Sequence, residues 1–300
     1  MKNILIVGSG ALGTLFAGRL AEIGASVTVL GTWRNAIDAL NRQGAGLVQP
    51  DGSVMRFPVQ ATKDPAECKN IDLAISLVKA WQTGRAAQQL AQCLPENGVV
   101  LTLQNGLGNR ETLSASLGAR RVLLGVTTIG STLLEPGLAR TGSEGDVFLE
   151  AHPCSRDISA LLQNAGMKVN IVPDSNSLLW GKLVINAAIN PITALLRVPN
   201  GILLKRPAAR QIMAGLAVET AAVATALGVV LPFVDPIAMV EDVARSTAGN
   251  SSSMLQDVLR GTTTEIDAIC GAVARAGETH GVPVPLNWTM WQLVSALHAG

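Results

Sequence analysis

The most regular hydrophobic pattern in the chain lies at its start. Asn3 to Val7 is a short, largely β-branched apolar run without alternation, as in a central parallel strand buried on both faces. Ala11 to Ile23 then reads as a helix and Ser26 to Leu30 as a second strand. Asp72 to Val78 and Gly98 to Leu103 are further short apolar strands, each separated from the last by a helix. Such alternation predicts a doubly wound parallel sheet. Strand-like pieces follow at Arg121 to Ile129 and Val147 to Glu150, then a helix from Arg156 to Ala165 and a last strand at Lys168 to Val172.

The pattern changes period at Pro173-Asp174. Beyond it, apolar positions recur at helical spacing over Leu178 to Asn190, Arg210 to Leu227, Pro236 to Ser246, Met254 to Leu259, Glu265 to His280 and Leu286 to Leu297. The expected architecture is α/β, with a sheet domain over residues 1–173 and an all-α domain over residues 174–300.

Composition narrows the function classes. With 48% hydrophobic and 15% charged residues, the 300-residue chain can bury two ordinary cores. A net charge of +1 offers no basic stripe, so nucleic acid is not an expected partner. Cys68, Cys93, Cys154 and Cys270 form no CxxC pair, which argues against a disulfide framework or zinc cluster and for a reducing, cytoplasmic setting. His152, His280 and His298 show no ligand spacing, and no metal is expected. Two stretches imitate export or membrane segments. The N-terminal one is interrupted by Gly8, Gly10 and Gly13, and Leu216 to Val234 carries Glu219, Thr220 and Thr225 before Pro232. A strand-turn-helix and a buried core helix explain them better, so no membrane is expected.

The string Gly8-Ser9-Gly10-Ala11-Leu12-Gly13 is GxGxxG directly after a strand and at the opening of a helix. In that context it is the dinucleotide fingerprint of a Rossmann-type sheet: Gly8 for the tight turn, Gly10 for close approach of a pyrophosphate, Gly13 for helix–strand packing. Free N–H groups at the helix start face the anion. Roughly 20 residues on, an Asp or Glu would hold a ribose 2′-hydroxyl. Here the segment reads Gly31-Thr32-Trp33-Arg34, with the first acid at Asp38. Thr32 and Arg34 suit a 2′-phosphate, which favours NADP over NAD; the alternative is that Arg34 is a solvated residue starting the next helix.

Further along, several strings occur in order: Leu77-Val78-Lys79-Ala80-Trp81-Gln82, Gln104-Asn105-Gly106-Leu107-Gly108, Trp180-Gly181-Lys182 through Asn190-Pro191, Pro199-Asn200-Gly201, and Ser252-Ser253-Met254-Leu255-Gln256-Asp257 with Thr264-Glu265-Ile266-Asp267. Together they resemble the ketopantoate reductase (2-dehydropantoate 2-reductase) family over nearly the whole chain. The resemblance implies NADPH-dependent reduction of 2-dehydropantoate to pantoate, on the route to pantothenate and coenzyme A. It implies Lys182 as general acid with Glu265 as its acidic partner. It implies substrate contacts from Asn186, Asn190 and Ser253, and further from Asn200 and Asn250. Lys79 and Asn105 would lie where cofactor meets substrate. Some family members carry an arginine immediately after the second strand, a place taken here by Gly31.

The residues themselves are consistent with that chemistry. Lys182, Asn186 and Asn190 are spaced i, i+4, i+8, within about 80° on one helical stripe. The helix is expected to stop at Asn190, because Pro191 disfavours α geometry in the residue before it. An ammonium placed at a ketone oxygen stabilises the charge that hydride addition builds there and supplies the proton. Burial would lower the Lys182 pKa and Glu265 would raise it, and the sequence leaves both open. Thr262-Thr263-Thr264-Glu265 also reads as a capping box, the preferred reading on residues alone, and Ser253-Met254-Leu255-Gln256 as another. Lys79 and Asn105 follow predicted strands, where open sheets bind ligands, but also read as a solvated cation and a turn residue. Trp81, Trp180 and Trp288 read as packing residues. Two other functions fit the motifs: a related 2-oxo or 3-hydroxy acid dehydrogenase with a different small substrate, and a non-catalytic dinucleotide-binding protein. The apolar helical half has enough surface for a homodimer.

Overall fold

The computed structural model describes residues 2–143 and 145–297. The chain forms two compact units, one comprising Met1–Gln104 with Asn109–Ser175 and the other Asn105–Gly108 with Asn176–Gly300.

In chain order the first unit contains β1 (Asn3–Val7), α1 (Ala11–Glu22), β2 (Ser26–Leu30), α2 (Arg34–Gln43), β3 (Ala45–Val48), β4 (Val54–Phe57), β5 (Gln60–Thr62), β6 (Leu73–Ser76), α3 (Thr83–Cys93), β7 (Val99–Thr102), α4 (Asn109–Leu117), β8 (Val122–Thr127), β9 (Gly130–Glu135), β10 (Leu138–Ser143), β11 (Asp146–Glu150), α5 (Ser155–Asn164) and β12 (Lys168–Val172). The main sheet runs β12-β11-β8-β7-β6-β1-β2-β5. The six strands from β5 to β8 are parallel, in the order of a doubly wound nucleotide-binding sheet, so the crevice where strand order reverses opens beside β1 and β6. β11 is antiparallel to β8, and β12 lies parallel to β11 at the edge. The unbroken apolar runs arise because both faces are covered. Ile4 and Ile6 pack with Leu15 and Phe16 of α1, whereas Leu5 and Val7 pack with Leu90 of α3 and Leu113 of α4.

A second sheet, β4-β3-β10-β9, was not anticipated. Its strands pack over α1, and β3 pairs in parallel with β10, far away in sequence. Short strands with such distant partners have too little local pattern to be read; β4 is mostly exposed. The run from Arg121 to Ile129 is also shorter than expected: β8 ends at Thr127 and β9 starts at Gly130.

The second unit is helical: α6 (Asn176–Leu196), α7 (Ile202–Lys205), α8 (Pro207–Ala226), α9 (Pro236–Ser246), α10 (Ser253–Leu259), α11 (Ala272–His280) and α12 (Pro285–Ala296). α6 runs through its core, with α8, α9, α10 and α12 packed around it. Among the described residues α6 alone is long and apolar enough to cross a membrane, and 67% of its apolar window is buried in the protein. Leu216 to Val234 is not one helix: α8 ends at Ala226, and Val230 and Val234 are exposed.

α6 does not stop at Asn190 but continues through Pro191 to Leu196. Proline at 191 removes the N–H that would bond the Ala187 carbonyl. The buried Cys270 thiol faces that carbonyl as donor, with Sγ 3.9 Å from the oxygen. The Thr193 hydroxyl reaches the carbonyls of Ile189 and Asn190 at 3.0 and 2.9 Å. A helix buried on most sides keeps its geometry through packing, which overrides the local preference of the residue before proline.

Candidate active site

The glycine turn between β1 and α1 is tightly built. Gly8 adopts φ +121°, and its N–H donates to Leu30 O of β2 at 2.9 Å. A Cβ on Gly13 would lie 1.9 Å from Gly8 O, so only glycine lets α1 approach the strand. Gly10, by contrast, has open space above its Cα. The first turn of α1 has no side-chain cap and no acidic residue, leaving its N–H groups to an anion. Ser9 is buried, and Ala11 and Leu12 are half-buried. These features fit a dinucleotide pyrophosphate. At the end of β2, Thr32 and Arg34 are exposed. Arg34 opens α2 with 93% of its side chain exposed, 3.9 Å from Asp38. Arg85, on α3, was not singled out from sequence; its Nη2 donates to Thr32 Oγ1 at 3.4 Å.

Lys79 is half-buried in the loop after β6. The buried Gln104 organises this region. Its Oε1 accepts from Ser76 Oγ and Thr102 Oγ1 at 2.9 and 3.0 Å, and its Nε2 donates to Val78 O and Thr83 Oγ1 at 3.1 and 2.7 Å. One carboxamide thereby holds both the Lys79 loop and the segment that leads to Asn105. Among the tryptophans Trp180 is a core residue, but Trp81 and Trp288 are more than half exposed, which corrects their reading as packing residues.

In the helical unit the structure brings Lys182, Glu265 and Asn105 together. Glu265 is 5% exposed, and Asn105 Nδ2 donates to its Oε2 at 3.3 Å. The Asn105–Gly108 segment docks against the chain that follows Glu265: Leu107 N donates to Ala268 O at 3.0 Å. Gly106, at φ +81°, allows that approach, since a Cβ there would lie 2.5 Å from Ala268 O.

Glu265 is not part of a capping box. Residues 262–264 are not helical; Thr262 Oγ1 donates to Asp257 O at 3.2 Å, and Thr264 Oγ1 accepts from Ile266 N at 3.4 Å. The expected helix from Glu265 instead begins as a wide π turn over Asp267–Gly271 and becomes α-helical only in α11. Such turns are rare and occur frequently at functional sites.

Lys182, on the half-buried stripe of α6, keeps part of its surface open yet is ringed by enough protein to lose most hydration. Burial pulls its pKa from 10.5 down to about 8, and the negative charge of Glu265 opposes that pull without overcoming it. On the same helix Asn186 is half-buried and Asn190 buried.

Asn200 is buried in the turn before α7. Its Nδ2 donates to Thr247 Oγ1 at 2.9 Å and its N–H to Asn250 O at 3.0 Å, while its Oδ1 has no partner among the described residues. Asn250 itself is exposed. Ser253 is exposed too, and the capping reading moves to its neighbour. Ser252 Oγ accepts from Leu255 N at 3.0 Å and shares a 2.7 Å hydrogen bond with Thr193 Oγ1, tying the start of α10 to α6. His152 and His280 are engaged with backbone carbonyls, and His298 lies outside the described residues.

A doubly wound sheet with a pyrophosphate-fitting turn, followed by a helical unit carrying a desolvated lysine beside a carboxylate, defines a Rossmann-fold oxidoreductase. Residues 4–153 match the family described as "Ketopantoate reductase PanE/ApbA", and residues 174–298 match "Ketopantoate reductase PanE/ApbA C terminal". The chain belongs to the ketopantoate reductase family. It is 33% identical over 298 residues to a 2-dehydropantoate 2-reductase of Halobacterium salinarum, with 97% of each chain covered. It resembles a PanE/ApbA family ketopantoate reductase from Ralstonia eutropha JMP134 with a TM-score of 0.92 and 30% identity, over 99% of this chain and 98% of that one. A ternary structure of D-mandelate dehydrogenase with NADH and anilino(oxo)acetate is similar at a TM-score of 0.91 and 25% identity, over 99% and 98% of the two chains. The family and fold make this an oxidoreductase acting on a CH–OH/C=O group, and both are consistent with NADP(H) as cofactor.

Proposed function

We propose that the protein reduces 2-dehydropantoate to (R)-pantoate with NADPH, a step toward pantothenate and coenzyme A. The observation that carries the reading is the amine of Lys182, lowered to about 8 by burial with the Glu265 carboxylate acting on it. The chemistry NADPH supplies when bound is a hydride for the ketone carbon. The Gly8 to Gly13 turn, Ser9, Ala11 and Leu12 would hold its pyrophosphate, and Thr32 and Arg34 its 2′-phosphate.

Lys182, as the ammonium, stabilises negative charge growing on the ketone oxygen and transfers a proton to it from Nζ. New C–H and O–H bonds thus replace the carbonyl π bond, and the neutral amine regains its proton from solvent. With a pKa of about 8, roughly 90% of the amines are protonated at pH 7, yet each gives up its proton more readily than an ordinary lysine. Glu265 favours the recharged ammonium, and Asn105 orients Glu265. Asn186, Asn190 and Ser253 hydrogen-bond the substrate carboxylate and hydroxyl, with Asn200 and Asn250 completing that side and Lys79 acting at the cofactor. The test is NADPH oxidation on addition of 2-dehydropantoate, followed at the nicotinamide absorbance.

A second reading, reduction of a different small 2-oxo acid, is favoured by the similarity to the D-mandelate dehydrogenase structure with its oxo-acid ligand. Assaying 2-dehydropantoate beside an aryl oxo acid separates the two by kcat/KM. Tight NADPH binding with no turnover on any oxo acid would rule out both.

A further inference from the structure

We infer that Arg85 of α3 is the residue by which this chain selects the 2′-phosphate of NADPH over the 2′-hydroxyl of NADH, with Thr32 and Arg34 as accessory contacts. The inference rests on the reading of the protein as an NADPH-dependent reductase. The end of β2 has no carboxylate to hold a ribose hydroxyl or repel a phosphate: it reads Leu30-Gly31-Thr32-Trp33-Arg34. This end lies against the pyrophosphate turn, because Leu30 O accepts the Gly8 N–H at 2.9 Å. An anion next to Thr32 therefore stands where the ribose end of a dinucleotide bound at the glycine turn arrives.

Two arginines can meet it, and they differ. Arg34 is 93% exposed and faces Asp38 one turn along its own helix, so its charge is partly answered and fully hydrated. The Arg85 guanidinium already reaches the β2 end, donating to Thr32 Oγ1 at 3.4 Å, and among the described residues no carboxylate pairs with it. Phosphate oxygens are stronger acceptors than a hydroxyl and match the guanidinium fork. Nor does helix stability account for Arg85, since a cation in the first turn of α3 runs against the helix dipole and no acid lies in that turn. Arg85 escapes a reading confined to the segment after β2 because it arrives from a helix 53 residues away in sequence.

The test measures dissociation constants by titration calorimetry for NADPH, NADH, 2′,5′-ADP and 5′-AMP, with wild type, Arg85→Gln, Arg85→Lys and Arg34→Gln. Arg85→Gln is expected to weaken NADPH and 2′,5′-ADP by about 10- to 100-fold, the span of a charge-assisted contact. NADH and 5′-AMP should bind as before. Arg85→Lys should recover part of the loss, and Arg34→Gln should cost less than Arg85→Gln. The exposed Arg85 side chain makes one hydrogen bond among the described residues, so unchanged thermal unfolding of Arg85→Gln is expected and checks the fold. A wild type that prefers NADPH while Arg85→Gln binds it equally well, or in which Arg34→Gln costs more, overturns the role of Arg85 and leaves the reductase reading standing. A wild type without preference for the phosphorylated ligands overturns both.

Discussion

Removing the charge of Glu265 should move the pH at which this protein stops working. In the folded chain Lys182 is lowered from 10.5 to about 8 by burial, a displacement worth roughly 3 kcal/mol in favour of the neutral amine. Glu265 acts in the opposite direction. In its proposed role as general acid Lys182 must be protonated, so kcat/KM for 2-oxo acid reduction should be level at neutral pH and fall tenfold per pH unit above about 8. In Glu265→Gln, burial acts unopposed and the falling limb should shift to lower pH by about one unit, the low end of what a nearby opposite charge contributes. At pH 7 the protonated fraction would then drop from roughly 90% to roughly half. Lys182→Ala should lose the limb altogether, with turnover down about 10²- to 10⁴-fold, the usual contribution of a general acid. The assay is NADPH oxidation across pH, with NADPH affinity measured separately to show that the cofactor site is intact. A wild-type limb near the ordinary lysine value, or one that stays in place in Glu265→Gln, would refute the argument that burial and Glu265 set this proton.

Three further outcomes follow from the geometry. Gly13→Ala should abolish NADPH binding measured by calorimetry, because its Cβ would stand 1.9 Å from Gly8 O; retained affinity would show that the turn yields. Gln104→Ala strands buried partners on Ser76, Thr102 and Thr83 and should cost about 1–3 kcal/mol in urea unfolding, whereas an unchanged midpoint would mean that water replaces the carboxamide. Glu219 accepts from Leu286 N, Asn287 N and Asn287 Nδ2, each at 2.9 Å, so Glu219→Ala should lower stability by about 1–2 kcal/mol through fraying of α12, visible as faster hydrogen exchange at residues 286 and 287.

Much of this was legible from the chain. Strands β1, β2, β6 and β7 are dense apolar runs whose burial on both faces removes alternation, so their pattern alone points to the centre of a parallel sheet. The GxGxxG turn was equally plain, since Gly8 and Gly13 meet steric demands a few residues apart. The stripe of Lys182, Asn186 and Asn190 needs only helical periodicity.

What failed to show in sequence depends on partners far away along the chain. The β3–β10 pairing joins short segments that carry no local signal of each other. Helix α6 runs through Pro191 because tertiary burial outweighs a local preference, and Cys270 meets the carbonyl that proline leaves unbonded. Glu265 looks like helix punctuation until Asn105, 160 positions earlier, is found against its carboxylate. The sequence by itself determined the central strands of the parallel sheet, the run of helices beyond it and the place of the glycine turn, because those depend on neighbours within a turn or two. Only the tertiary structure decided the lowered pKa of Lys182 and the reach of Arg85 to Thr32, because desolvation and charge contacts are set by whatever the folded chain brings within a few ångströms.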